Sequence, residues 1–154
     1  MNESKDRNSK MWQTAKWAAG VGLLLTGGMV YTLFRPRTLL LFRVLDGLGW
    51  TERIELWREA VQGGTLPEWM VYNLPAGLWA TAYILIADAI HCKSQTGKRL
   101  CIAGFIPLLG IVAEVLQGCG WLRGTFDWAD MAAYTLPFAI YYIIIIIKNK
   151  QIWN

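Results

Sequence analysis

The sequence predicts an all-α integral membrane protein, a four-transmembrane-helix bundle with an outer interfacial amphipathic helix, and three observations carry that prediction. Of its 154 residues 55% are apolar and only 17% charged, a balance too greasy for an ordinary soluble domain. Four runs approach the roughly 20 apolar residues that a helix needs to cross the hydrocarbon. Nine Trp, six Tyr and five Phe supply an aromatic load suited to two membrane interfaces. The same composition excludes a disordered tail, a collagen-like repeat and a disulfide scaffold. A net charge of +4, broken up by apolar runs, excludes a nucleic-acid surface.

The chain reads as a single membrane domain over residues 1–154. The first span, 17–34, has no charge, and its Gly20, Gly22, Gly27 and Gly28 suit close approach of another helix. The second, 69–90, holds Asn73 and Pro75 near its start and Asp88 near its end. The third, 100–116, carries one carboxylate, Glu114. The fourth, 131–147, ends in five isoleucines, and its continuity with Tyr134–Tyr142 favours a lipid-facing helix over a strand.

Orientation follows from the bases near the span ends, which favour the cytoplasmic side. With the N-terminus inside, the inner segments hold Lys5, Arg7, Lys10, Lys16, Lys93, Lys98, Arg99, Lys148 and Lys150 against Glu3 and Asp6. The bases of the first outer loop (Arg35, Arg37, Arg43, Arg53 and Arg58) are balanced by five acids. The tails 1–16 and 148–154 are therefore expected in the cytoplasm, and the first span is expected to be a retained anchor.

Residues 35–68 form an outer interfacial segment. Leu39–Phe42 is too short to cross and is hemmed in by Arg35, Arg37 and Arg43. Thr51 is expected to cap a helix over 52–62, with Ile54, Trp57 and Val61 on one stripe and Gly63 and Gly64 ending it. That helix rests on the membrane or serves only as a cover for the bundle. The three cysteines, Cys92, Cys101 and Cys119, suggest no pairing, and His91 beside Cys92 matches no zinc spacing. No cofactor and no metal are expected.

The richest polar stretch joins the third and fourth spans. Glu114 and Gln117 share a helix face, and Asp127 and Asp130 repeat that spacing at the mouth of the fourth helix. Carboxylates there are favoured by unpaired N–H groups and the helix dipole. Arg123, in a turn loosened by Gly118, Gly120 and Gly124, is expected to fork onto a carboxylate. Asn73 and Pro75 open the second span at the same depth. Two readings stand side by side: a structural staple with Glu114–Arg123 as an ion pair and Asp127 or Thr125 as an N-cap, or a polar pocket for a headgroup, glycan or peptide stem.

Glu114-x-x-Gln117, then Arg123, then Phe126-Asp127-x-x-Asp130 at the head of an apolar helix resembles the signature of the VanZ-like family of small bacterial integral membrane proteins. The chain would be a divergent member. It has Tyr134 where the family usually has Asn, and one extra residue between the Arg and the Phe. At Asn73-Leu74-Pro75-Ala76-Gly77 it lacks the Asp and His of the family's Asp-Lys-x-x-His element. The resemblance implies the bacterial plasma membrane and a link to glycopeptide resistance of the teicoplanin type, with no settled chemistry.

The preferred functional reading is a non-enzymatic protein whose outer pocket, built from Asn73, Glu114, Gln117, Asp127 and Asp130 with Arg123 as anion contact, binds an envelope lipid or cell-wall precursor. Partners would be membrane lipids or a lipid-linked precursor, no nucleic acid, and a second copy or another membrane protein. Two alternatives stay open. One is an oligomeric pore or transporter subunit with Asp88 as the opposite gate. The other is a membrane-embedded lipid-phosphate hydrolase, which lacks an outer His or a Ser with a base partner.

Overall fold

The computed structural model describes residues 2–37, 40–61, 64 and 66–153. Among them the regular elements are all helices: α1 (Asn2–Phe34), α2 (Leu40–Gly47), α3 (Thr51–Val61), α4 (Glu68–Tyr72), α5 (Leu74–His91), α6 (Thr96–Gly118) and α7 (Trp128–Trp153). Four are long and apolar enough to cross a membrane, over Asp6–Phe34, Leu74–His91, Thr96–Gly118 and Trp128–Asn149. The chain is an all-α bundle of multi-pass membrane type.

The spans run up, down, up and down, which places their termini at two ends of the bundle. At one end lie Phe34, Asn73, Glu114 and Asp127. At the other lie Lys16, Asp88, Arg99 and Tyr141, with Asn149 Nδ2 donating to Thr96 Oγ1 at 2.7 Å to tie the start of α6 to the last turns of α7. The central helix is α5, which packs on α1 and on both α6 and α7. A buried cluster of Ile84, Ala87, Ala103, Tyr141 and Ile145 fills the space between α5, α6 and α7.

Much of the remaining apolar surface is exposed, including Leu24, Leu25, Phe105, Leu109, Ile140 and Ile143. Lipid tails solvate such side chains as well as a core would, so helix association in a membrane depends on close fit. The α1–α5 contact is built that way. A methyl at Gly20 would meet the Ile86 side chain at 2.6 Å, and one at Gly27 would meet the Trp79 ring at 2.7 Å. Gly22 and Gly28 face open space, so half of the glycine set expected to admit a helix does so.

Element boundaries differ from the expected ones for local reasons. No Gly or Pro interrupts residues 2–19, and an Asp6–Lys10 pair at i,i+4 supports the turn there, so α1 runs helical through residues 2–16 ahead of the span expected at 17–34. The second span is broken at Asn73. Pro75 lies in the first turn of α5, where its missing N–H costs nothing, and α4 ends just before it as a separate short helix.

In the interfacial segment, α3 begins at Thr51, with Ile54 N–H donating to the Trp50 carbonyl. Thr51 is the first residue of that helix and not its cap, and its hydroxyl donates to Asp46 Oδ1 at 2.6 Å. Ile54 is buried and Val61 half-buried, whereas Trp57 is half-exposed beside a cavity of about 380 Å³ between α3 and the end of α1. Arg58 holds the helix in place, its Nη1 donating to the carbonyls of Thr32 (2.8 Å) and Arg35 (3.0 Å) at the end of α1. Phe42 of α2 is buried under the same guanidinium. Leu39 at the head of the short apolar run, and Gln62 and Gly63 beyond α3, lie outside the described residues.

Candidate functional site

At the Asn73 end, three parts of the chain converge. The break between α4 and α5 points Asn73 at the α6–α7 hairpin, and its Nδ2 donates to Asp127 Oδ2 and to Asp130 Oδ1, each at 2.9 Å. Asp127 caps α7, its Oδ1 accepting the Ala129 N–H at 2.8 Å. Its backbone N–H donates to Glu114 Oε2 at 3.1 Å, and Glu114 is only 6% exposed. The Ala129 N–H, and after it the Asn73 amide, hold the Asp127 carboxyl below its ordinary value.

The turn between the two helices is shaped by Gly120 and Gly124, both with positive φ, at 75° and 143°. Gly124 lies so close to the Gln117 amide that an added methyl would sit 2.5 Å from its Oε1. Phe126 meets Trp128 edge to face at 4.7 Å between centroids. Trp128, next in sequence to the Asp127 cap, and Trp121, in the turn, are 76% and 84% exposed.

Four of the six sequence-predicted residues (Asn73, Glu114, Asp127 and Asp130) are therefore joined by hydrogen bonds, and Gln117 lies on the same hairpin against Gly124. The sixth stands apart from the cluster. Arg123 is exposed and, among the described residues, forms neither an ion pair nor a hydrogen bond, so it does not fork onto a carboxylate. The Trp121 and Leu122 N–H groups both donate to the Leu116 carbonyl and fold the turn back on α6, which leaves Arg123 outside the cluster. Glu114 takes the Asp127 N–H instead. Without a cation, the cluster is rich in acceptors and suits a ligand that presents hydroxyl or ammonium groups.

The opposite end holds a charged network that the reading of the sequence did not assemble. Asp88 on α5 is 3% exposed. Its Oδ2 accepts Lys16 Nζ at 2.5 Å. Its Oδ1 accepts Arg99 Nη2 (2.5 Å), Arg99 Nε (3.1 Å) and the Tyr141 hydroxyl (2.7 Å). One carboxylate thus joins all four spanning helices. An acid within a span is a signal in itself, and the loop charges already put Lys16, Asp88, Arg99 and Lys148 at one end.

Among the described residues no group of three or more His, Cys, Asp or Glu side chains is arranged to hold a metal ion. Fold and sites together define a multi-pass membrane protein of the all-α class with a polar cluster at each end of its bundle. No family model, no curated protein and no solved structure matches the chain.

Proposed function

We propose that the chain is a non-enzymatic protein of the bacterial plasma membrane, with both termini cytoplasmic, that binds the head of an envelope lipid or a cell-wall precursor at its Asn73 end. The observation that carries this reading is the convergence of Asn73, Glu114, Asp127 and Asp130 from three segments, with the exposed Trp121 and Trp128 on the same hairpin. Carboxylate and amide oxygens take hydroxyl and ammonium donors, and indole faces take the apolar faces of sugar rings. Arg123, at the rim, supplies the contact for an anionic group such as a lipid-linked phosphate. The orientation rests on Lys10, Lys16, Lys93, Lys98, Arg99 and Lys148, all at the Asp88 end.

The test is mass spectrometry of lipids that co-purify in native lipid particles, comparing wild type with an Arg123→Ala, Glu114→Gln double variant. Selective loss of one lipid class from the variant is expected, and identical profiles overturn the proposal. The resemblance to VanZ-like proteins adds a cellular readout: teicoplanin tolerance of a sensitive bacterium expressing the chain, reduced in the same variant. A second reading is favoured by the mutual hydrogen bonds of the cluster, which would staple the α6–α7 hairpin to α5. It predicts a lower melting temperature for the variant with no change in bound lipid.

A further inference from the structure

Helices α1 and α7 both lean on α5 at the Asp88 end and leave a groove between them. A cavity of about 390 Å³ occupies it, with Lys16, Asp88, Arg99 and Lys148 at its polar mouth and Trp12, Ala15, Ala19, Leu85 and Ile145 among its walls. A second, almost wholly apolar groove of about 280 Å³ continues from it between α5 and α7, past Ile140, Pro137 and Leu136. The two share Leu85, Tyr141 and Ile144, so they form one channel along the bundle surface. From Lys148 to Leu136 the channel follows about 18 Å of helix, the depth of one leaflet of a hydrocarbon core about 30 Å thick.

Three cations and one carboxylate face the polar mouth, an excess of two positive charges. Asp88 does not use up the donors around it. A lysine ammonium has three protons and an arginine guanidinium five N–H groups. Asp88 engages one proton of Lys16 and, on Arg99, Nε and one N–H of Nη2. Two protons of Lys16 and three N–H groups of Arg99 remain, and Lys148 forms no ion pair among the described residues. The Lys16 and Arg99 side chains are 28% and 18% exposed, and both line the cavity. Asp88 is thus a positioning residue, fixing an ammonium and a guanidinium side by side on the wall of one cavity.

We infer that this channel binds a phosphate-bearing anionic lipid, with its phosphate between Lys16, Arg99 and Lys148 and one acyl chain lying along Leu85, Ile144, Ile140 and Leu136. Charge complementarity selects the phosphate, and the apolar continuation selects a lipid over a free anion. The site is at the opposite end from the Asn73 cluster and does not depend on the function proposed for that cluster.

The test uses the full chain in a neutral detergent, titrated separately with phosphatidylglycerol, phosphatidylcholine and inorganic phosphate. Native mass spectrometry counts bound lipid and a thermal melt reads stabilisation. Phosphatidylglycerol is expected to bind one to one and raise the melting temperature saturably. Lys148→Ala, which leaves the Asp88 network intact, is expected to weaken that binding about tenfold, the loss of one charge-assisted contact. Ile140→Trp, at a position already 57% exposed, is expected to weaken lipid binding by filling the groove. Equal binding of phosphatidylcholine overturns the inference, as does inorganic phosphate binding as tightly as the lipid. An unchanged phosphatidylglycerol affinity in Lys148→Ala overturns it as well.

Discussion

Asp88→Ala removes the carboxylate shared by Lys16, Arg99 and Tyr141 and leaves an ammonium and a guanidinium adjacent inside the bundle. Four hydrogen bonds are lost, each worth about 1.5–3 kcal/mol when one partner is charged. Their simple sum overshoots, because Lys16 and Arg99 are partly exposed and regain some solvation once released. Breaking a buried ion pair by deleting one partner costs about 3–5 kcal/mol, the range expected here. At about 2–4 °C per kcal/mol for a chain of this size, the melting temperature in detergent falls by about 6–20 °C. The control is Lys16→Met, Asp88→Leu, Arg99→Met, Tyr141→Phe in one chain, since replacing a whole buried ionic group and its hydroxyl partner by apolar residues is often neutral or stabilising. That variant should melt near wild type. An Asp88→Ala chain melting at the wild-type temperature would refute the argument, because the carboxylate would then carry no net load.

Three further outcomes follow from other parts of the structure. Gly20→Ala drives a methyl into Ile86 and lies 3.1 Å from the Ala82 carbonyl, so it should destabilise by about 1–3 kcal/mol; Gly22→Ala meets nothing and should be neutral or stabilising by up to about 1 kcal/mol, both read by thermal melts. Because the folded Asp127 carboxyl titrates below its ordinary value, its contribution is complete above that value and is lost as pH falls through the depressed one. Asp127→Asn keeps an acceptor for the Ala129 N–H and should remove this share of the acid sensitivity, measured as melting temperature against pH. Arg58→Ala frees α3 from the carbonyls of Thr32 and Arg35, and amide exchange over residues 51–61 should quicken by about tenfold or more while the spans keep their protection.

The four spans were legible in the sequence because runs of that length and apolarity have few other fates, and the grouping of Glu114, Gln117, Asp127 and Asp130 followed from their i,i+3 spacing across a short turn. Which group bonds to which was not legible. Arg123 looked like the natural partner of Glu114, but backbone N–H groups compete for carboxylates, and composition does not reveal the N–H of Asp127. α1 starts ahead of the span at 17–34 because hydropathy marks where lipid begins, while a helix continues as far as its local propensities allow. The Asp88 network needed a contact map. Lys16 and Asp88 are separated by 72 positions, and only the antiparallel packing of α1 on α5 brings them together.

That separation has a consequence for how the chain is made. Lys16 leaves the ribosome far ahead of Asp88, Arg99 follows Asp88 by 11 positions, and Tyr141 arrives 53 positions after it. A nascent chain therefore passes its first three spans with the carboxylate still lacking a hydroxyl and the channel still lacking its α7 wall. Insertion of α7 completes both in one step. Until then the faces of α5 and α6 that Tyr141 and Ile145 cover, at Ile84, Ala87 and Ala103, stay open, so closure of this bundle waits on its fourth span.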